Sequence, residues 1–316
     1  MNTCTLLAAA KINLYLEIIG SRPDGFHELV MVMQSVDLCD LVTLTLRRMP
    51  TLQLTCDHPL VPTDKTNLAL RAAVLLSEKF PEAANVHGGL DIHIEKKIPV
   101  GAGLAGGSSN AAATLVGLNL LWNLGLTQIE LMRLAAELGS DVPFSIMGGT
   151  AIATGRGEAL DAIRGCDGLH VVLAKYESLS VSTPWAYRTY REQFADTYID
   201  LSNQATLSER QQRVHSGPVV SAITENNYAA VGQYLYNDFE KVVLPAHPPV
   251  RQLRAVMAQS GLGTLMSGSG PTVFTLTQTQ VEAEHLAAKV RQQLPDPDLK
   301  LWVTEFSTAG IHLGSG

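Results

Sequence analysis

Four glycines set close together can bring a backbone hard against a ligand. The stretch PVGAGLAGGSSNAAATLVGL, residues 99–118, carries them at positions 101, 103, 106 and 107. Lacking Cβ atoms, such a run can turn successive N–H groups inward on an anion, and this one leads into an apolar segment of helical length. Ser108, Ser109 and Asn110 are residue types that cap a helix start. A helix N-terminus fronted by such a loop favours phosphate. Gly101, Gly103 and Gly106 also satisfy G-x-G-x-x-G, but a dinucleotide fold needs a second strand about 20 residues on that ends in an acidic residue. Here that place falls in LGLTQIE, a junction into another helix, and no G-K-[S/T] follows the glycines, so a Walker-type loop is excluded. The competing reading is a tight glycine turn that holds nothing.

Side chains suited to acid–base work are few. Lys11 stands in AAAKINLYL, where a buried ammonium is costly without a carboxylate partner; the alternative is an edge-strand lysine facing water. Asp141 follows Gly139 and Ser140 and precedes Val142-Pro143-Phe144. From that junction its carboxylate can project into a cleft or simply cap the next turn. Ser267 to Gly270 forms a second glycine turn, either a buried connection or part of a site wall. His27, in DGFHEL, reads by itself as a turn histidine, and the other histidines show no metal-ligand spacing. Tyr187, in STPWAY, fits the ordinary packing of an amphipathic helix. Cys4, Cys39, Cys56 and Cys166 are scattered without C-x-x-C pairing, so neither a zinc site nor a disulfide framework is expected.

Strands and helices must position these groups. Apolar alternation predicts strands at 14–19, 29–36, 41–46, 52–55 and 90–95, and helical spacing predicts a helix over 67–80 that Pro81 stops. Helices follow at 108–124 and 127–138, the latter opened by the capping-box pattern TQIE. Strands are expected at 151–154 and 169–174, then a polar surface excursion at 197–217. Beyond it come helices at 228–243 and 250–260, a strand at 272–276, a helix at 280–294 and a strand at 301–306. Strands, then helices, then strands again give an α+β class rather than regular βαβ alternation. Neither an internal repeat nor a heptad run is evident.

The 316 residues carry 23 Lys and Arg against 30 Asp and Glu, a net charge of −7, and are 46% hydrophobic. Such a composition excludes disorder for most of the chain, and the acidic balance argues against a protein that coats nucleic acid. Between Lys97 and Glu130 there is no charge, but the apolar half of that stretch is too short for a bilayer. The N-terminus lacks the basic and long apolar regions of a signal peptide. A cytoplasmic protein with no membrane partner is expected.

PVGAGLAGGSSNAAA resembles the nucleotide-binding motif of the GHMP kinases, and AKINLYLEI and SGSGPTVFTL agree with the same family. The resemblance implies a two-lobed α+β kinase with its site in the cleft between an N-terminal nucleotide-binding lobe, 1–160, and a C-terminal substrate-binding lobe, 161–316. It implies ATP held by Pro99, Val100, Gly101, Ala102, Gly103, Leu104, Ala105, Gly106, Gly107, Ser108, Ser109 and Asn110, and Mg²⁺, whose protein ligands the sequence leaves unassigned; Ser108 is the first candidate. Asp141 would be the general base on the acceptor hydroxyl, with Lys11 favouring the developing alkoxide.

KINLYLEIIGSRPDGFHEL, together with GSDVPF and NDFE, is similar to one branch of the family, whose acceptor is an alcohol bearing cytidine diphosphate in isoprenoid precursor synthesis. That likeness implies base recognition by Asn13, Phe26 and His27, a second stacking ring at Tyr187 or else Trp185, and diphosphate contacts from Gly268, Ser269 and Gly270. Phe26 stands where the branch has Tyr, which removes a hydroxyl and keeps the stacking face. A GHMP kinase for another small alcohol and a silent nucleotide or sugar sensor are the alternatives. Lys11 and Asp141 disfavour the sensor, and the DGFHEL block disfavours another alcohol.

Overall fold

The computed structural model describes residues 2–165 and 168–314, so Cys166 lies outside the described residues. The chain opens with two long strands, β1 (Thr3–Ser21) and β2 (His27–Arg47), then β3 (Leu52–Cys56), α1 (Leu68–Lys79), α2 (Pro81–His87) and β4 (Gly89–Glu95). Next come α3 (Gly106–Leu121), α4 (Gln128–Ala136), α5 (Val142–Met147), β5 (Thr150–Gly155), β6 (Ala159–Ile163) and β7 (His170–Tyr176). The second half holds α6 (Thr183–Phe194), α7 (Gln204–His215), α8 (Pro218–Thr224), α9 (Tyr228–Gln233), β8 (Tyr236–Asn237), α10 (Glu240–Ala246) and α11 (Pro248–Met257). It ends with β9 (Gly263–Met266), β10 (Val273–Thr277), α12 (Gln280–Gln293), β11 (Leu299–Glu305) and β12 (Ile311–Leu313).

Two sheets result. The larger runs β12-β1-β2-β4-β3, with β5 on the other end of β2, β6 beyond β5, and β8 beside β1. The smaller is antiparallel, β11-β7-β10-β9. Period-two alternation sends Ala10, Ile12 and Leu14 of β1 into one buried cluster with Val171 and Leu173 of β7 and Phe274 and Leu276 of β10, which joins the sheets. A second core lies where α1, α3 and α4 cover the outer face of the larger sheet. There α3 packs so closely that a Cβ on Gly117 would run into the Leu44 and Leu6 side chains.

Local chemistry sets the helix starts. Asn67 caps α1 by accepting from the Ala69 N–H at 2.9 Å. Thr127 and Glu130 form the expected capping box of α4.

Several expectations need correction. The strands expected at 29–36 and 41–46 are one strand, because the pairing jumps from Ala9–Cys39 to Ala10–Val36. The polar break at 37–40 is therefore a bulge inside β2 rather than a turn. The helix expected from 108 begins at Gly106 and is entered through Ala105 in the left-handed region (φ 57°), with no side-chain cap, so Ser108, Ser109 and Asn110 lie inside the first turns.

The excursion at 197–217 contains α7, capped by Asn203 and tied down by Arg210 on Glu17 and Gln211 on Glu28. Polar ties rather than a broad apolar stripe hold that helix, which hid its period. The helix expected over 228–243 is broken, since Tyr236 and Asn237 pair as a strand with Tyr15 and Leu16. Asn237 also donates to the Met266 and Gly268 carbonyls at 2.7 and 2.8 Å. Tertiary pairing overrides helical spacing there.

Candidate active site

A cleft of about 850 Å³ collects β1, the tip of the β1–β2 hairpin, the first glycine loop, the start of α5, one face of α6 and the second glycine turn. Lys11 lies in β1 opposite Ser35 of β2, with the first glycine loop on its other side, and is 6% exposed, which removes the reading of an edge-strand lysine facing water. Its Nζ donates to Asn13 Oδ1 at 2.6 Å and stands 3.8 Å from Asp141 Oδ2. Asp141 occupies the cap position of α5 but makes no capping hydrogen bond, so its side chain, 33% exposed, is free for the cleft. The carboxylate that a buried lysine requires is thus supplied from 130 residues away in sequence by a helix start.

The first glycine loop is locked onto the strand beside it, with the Lys11 N–H donating to the Leu104 carbonyl at 3.2 Å. Gly101 and Gly103 adopt φ of 62° and 74°, which a side chain would strain. A Cβ on Gly103 would collide with the Ser267 carbonyl and lie 3.1 Å from that of Gly270, so the two glycine turns meet backbone to backbone. Ser267 Oγ donates to the Gly103 carbonyl at 3.1 Å. A Cβ on Gly101 would meet only Ser180 at 3.7 Å, and one on Gly107 only Leu68 at 4.0 Å, so the open side of the loop is the side toward the cleft. With no side-chain cap on α3, its first N–H groups are left for an anion.

Beneath the loop lies a buried polar knot that the sequence analysis did not single out. Asp40, at the β2 bulge, pairs with Lys96 and accepts from the Lys97 and Ile98 N–H groups at 2.8 and 2.9 Å and from Asn110 Nδ2 at 2.8 Å. The ion pair is fully hydrogen-bonded, the condition under which burying charges is tolerated. Its only trace in sequence is an acidic residue inside an apolar run, VDLCDLV. Asn110 faces both the knot and the cleft, whereas Ser109 donates to the Ala9 carbonyl at 2.7 Å and is off the wall. Ser108 is half-buried on the wall.

At the second turn, Gly268 and Ser269 line the cleft, and Ser269 Oγ sits 2.8 Å from Thr183 Oγ1 at the start of α6. Gly270 turns inward, where a Cβ would meet Met266 Sδ at 2.6 Å.

The aromatic groups gather at the other end. Phe26 is 53% exposed, with the Arg156 guanidinium 4.9 Å from its centroid. His27 lies flat on Tyr187, centroids 4.7 Å apart, and Tyr187 meets Phe239 at 4.8 Å, edge to face. Tyr187, not Trp185, faces the cleft; Trp185 packs edge-on against His247 at 5.6 Å. Burial, and after it the charge of Arg191, pushes the His27 imidazole below its ordinary pKa, so the ring is neutral, and its buried Nε2 has no hydrogen-bond partner. Burial, then the Asp141 carboxylate, holds the Tyr187 phenol far above its usual range. Asn13 lines the cleft, but its amide oxygen is taken by Lys11 and its nitrogen faces Met31 Sδ at 3.4 Å.

Arg156, Arg188 and Arg191 also line the cleft, and sequence reasoning passed over all three. The one signal for the two on α6 is that Arg188 and Arg191 share a helical stripe with Tyr187. Of the cysteines, Cys4 and Cys39 are buried free thiols and Cys56 a half-buried one. Among the described residues no helix is long and apolar enough to cross a membrane.

Residues 67–149 match the N-terminal domain of the GHMP kinases, and residues 219–296 match their C-terminal domain. A protein of Gloeothece citriformis named 4-diphosphocytidyl-2-C-methyl-D-erythritol kinase is 56% identical over 314 residues, covering 99% of each chain. Its namesake in Trichodesmium erythraeum is 54% identical over the same length and coverage. A solved 4-(cytidine 5'-diphospho)-2C-methyl-D-erythritol kinase superposes with a TM-score of 0.72 at 30% identity, covering 96% of this chain and 99% of that one. A homoserine kinase of Cytophaga hutchinsonii shares the fold, with a TM-score of 0.74 at 19% identity and coverage of 99% and 98%.

Proposed function

We infer the reaction from one premise: the chain belongs to the GHMP kinases and, within them, to the 4-diphosphocytidyl-2-C-methyl-D-erythritol kinases. It is an ATP-dependent kinase that transfers the γ-phosphate to the 2-hydroxyl of 4-diphosphocytidyl-2-C-methyl-D-erythritol, in the non-mevalonate (MEP) route to isoprenoid precursors.

The observation that carries this reading is the pairing of Lys11 and Asp141, 3.8 Å apart, in one cleft with a glycine loop that is open on that side. The acceptor oxygen forms a bond to the γ-phosphorus, the bond from that phosphorus to the bridging oxygen breaks, and the acceptor proton goes to Asp141. Lys11 faces the developing alkoxide, and the Asn13 amide holds its ammonium in place. The loop of residues 99–110 cradles the triphosphate through its N–H groups and the start of α3.

Among the described residues no group of three or more His, Cys, Asp or Glu is arranged to hold a metal, so Mg²⁺ would sit on the phosphate oxygens, with the Ser108 hydroxyl as its protein ligand. Bound there, it would supply charge neutralisation for the transferred phosphate. For the acceptor, the exposed face of Phe26 stacks on cytosine, the free His27 Nε2 reaches the base edge, and Tyr187 backs His27. Gly268 and Ser269 lie toward the diphosphate, with Gly270 shaping their turn.

We assign the lobes to residues 1–160 and 161–316, with β8 and β12 returning from the second to join the first sheet. A cytoplasmic setting suits the free thiols of Cys4, Cys39 and Cys56.

The test is ADP release from ATP and Mg²⁺ with 4-diphosphocytidyl-2-C-methyl-D-erythritol, run beside homoserine and mevalonate, on the protein and on Asp141→Asn. Turnover with the cytidylated alcohol alone, falling by about 10²- to 10⁴-fold in the variant at unchanged KM for ATP, is the expected result. Turnover of another alcohol would leave the phosphoryl-transfer assignment standing and remove the acceptor.

A further inference from the structure

The segment NDFE, residues 237–240, gives the cleft wall only Phe239, yet its other three side chains reach the strand and the turn that build the site. Asp238 seats the segment on β1: its N–H donates to the Leu16 carbonyl at 3.0 Å, and its Oδ2 accepts from the Ile18 N–H at 2.7 Å. Glu240 Oε1 accepts from the Met266 N–H at 2.9 Å, at the entry to the second glycine turn. Asn237 does both. Its backbone pairs with Leu16 through β8, and its buried side chain donates through Nδ2 to the Met266 and Gly268 carbonyls at 2.7 and 2.8 Å. The amide oxygen accepts from the Phe239 N–H at 2.9 Å. Two carbonyls on one side and an N–H on the other are all satisfied by an amide in this orientation, and by neither a carboxylate nor a hydroxyl.

From Gly268 the connection closes on itself. Ser267, between the two held carbonyls, donates from Oγ to the Gly103 carbonyl at 3.1 Å, and the Thr272 N–H reaches the Ala102 carbonyl at 3.4 Å. Leu104, next in the loop, accepts from the Lys11 N–H at 3.2 Å. Lys11 and Leu16 both belong to β1, so the path from β1 through Asn237, the second turn and the first glycine loop returns to β1. A Cβ on Gly268 would lie 3.4 Å from Asn13 Oδ1, the atom that holds the Lys11 ammonium, so this ring runs against the amide that fixes the cation. A closed ring holds each member from two sides and leaves the loop little freedom to shift relative to Lys11.

We propose that Asn237 is a positioning residue for phosphoryl transfer: by fixing the second glycine turn to β1 it sets the placement of the glycine loop against Lys11, and so the alignment of the γ-phosphate with the acceptor hydroxyl rather than the affinity for either. The proposal rests on the phosphoryl-transfer reading above, and the test separates the two. Alignment is where small displacements cost most, since a shift of about 1 Å can cost about a hundredfold in rate. The N–H groups of the loop itself are untouched, so binding of ATP changes little.

The test is ADP release with ATP, Mg²⁺ and 4-diphosphocytidyl-2-C-methyl-D-erythritol, beside urea midpoints, on the protein, Asn237→Asp, Ser267→Ala and the double variant. The expected fall in kcat is about ten- to a hundredfold for Asn237→Asp and about three- to tenfold for Ser267→Ala, with KM for ATP and for the alcohol within about threefold. The double variant should lose less than the product of the single losses, because a ring already open is opened again. A carboxylate at position 237 has no proton to give the two carbonyls, and burial raises its pKa. The ratio of variant to original kcat should therefore rise as pH falls from about 8 to about 6, where a protonated carboxyl returns one donor. Ser267→Ala has nothing to titrate, and its ratio should stay flat. An unchanged kcat in Asn237→Asp would overturn the proposal, as would a rise in KM with kcat kept, or single losses that multiply at a ratio independent of pH. If Asn237→Asp does not fold, an unchanged kcat in Ser267→Ala overturns it instead. No ADP release with any alcohol by the unaltered protein would sink the phosphoryl-transfer reading and this role together.

Discussion

The two halves of the cleft are made of different material. On the side we assign to ATP the wall is backbone, with glycines at positive φ and the uncapped N–H groups that open α3. On the side we assign to the acceptor it is side chains, with Phe26, His27, Tyr187 and Arg156 brought from a hairpin, a helix and a turn. A triphosphate is the same in every ATP, so a fixed lattice of N–H groups serves it. An acceptor that must be told apart from other alcohols needs groups that can be exchanged singly.

Gly103→Ala should strike the donor half hardest. Its φ of 74° and the two carbonyls from residues 267 and 270 leave no room for a methyl group, so the loop must leave its seat on the second turn. A left-handed alanine alone costs about 1–2 kcal/mol, and displacing N–H groups from the phosphates adds to it. The expected outcome is a fall in kcat/KM for ATP of at least about a hundredfold, with CDP affinity within about threefold of the original. Loss of CDP binding to the same degree would show that the halves are not separate.

Phe26→Ala should act in the opposite sense. Base stacking on an aromatic face is worth about 1–3 kcal/mol, so cytidine affinity should drop by roughly ten- to a hundredfold while KM for ATP stays. Phe26→Tyr should change cytidine affinity by less than about threefold, because the stacking face and the Arg156 contact behind it both survive. A large gain with tyrosine would mean that the hydroxyl absent here has a partner in the cleft.

The same division explains what could be read from the sequence. The loop we assign to ATP is contiguous, so its glycines announce it, and Lys11 betrays itself as a charge inside an apolar strand. Asp141 shows through its place between Gly-Ser and Val-Pro. The acceptor site depends on neighbours that only folding brings together. Arg188 and Arg191 look like any solvated helix face until the cleft is seen beside them; the knot beneath the glycine loop is hidden in the same way, since Lys96 and Asn110 lie 56 and 70 residues from their shared partner Asp40. The break at 236–237 was invisible for the same reason, since only Tyr15 and Leu16 make those two residues a strand. Asn13 was legible as a site residue, but its amide oxygen faces Lys11, a partner two residues away on the same strand.

The smallest effect concerns His27, which joins the two sides of the acceptor wall. Burial, then Arg191, lowers its pKa below the 6.5 of a free imidazole. In the pH range between the lowered value and 6.5 the unfolded chain binds more protons than the folded one, so stability rises with pH there. The contribution is fully present above 6.5 and is lost as pH falls through the folded value. Urea midpoints measured from about pH 7.5 down to about pH 5.0 should therefore fall more for the original protein than for His27→Asn, which has nothing to titrate at that position. Arg191→Ala should shrink the difference without abolishing it, because burial remains as the larger cause. Equal slopes for the original protein and His27→Asn would mean that the imidazole meets water or a proton acceptor in the folded state, and that its Nε2 is not held free for a base.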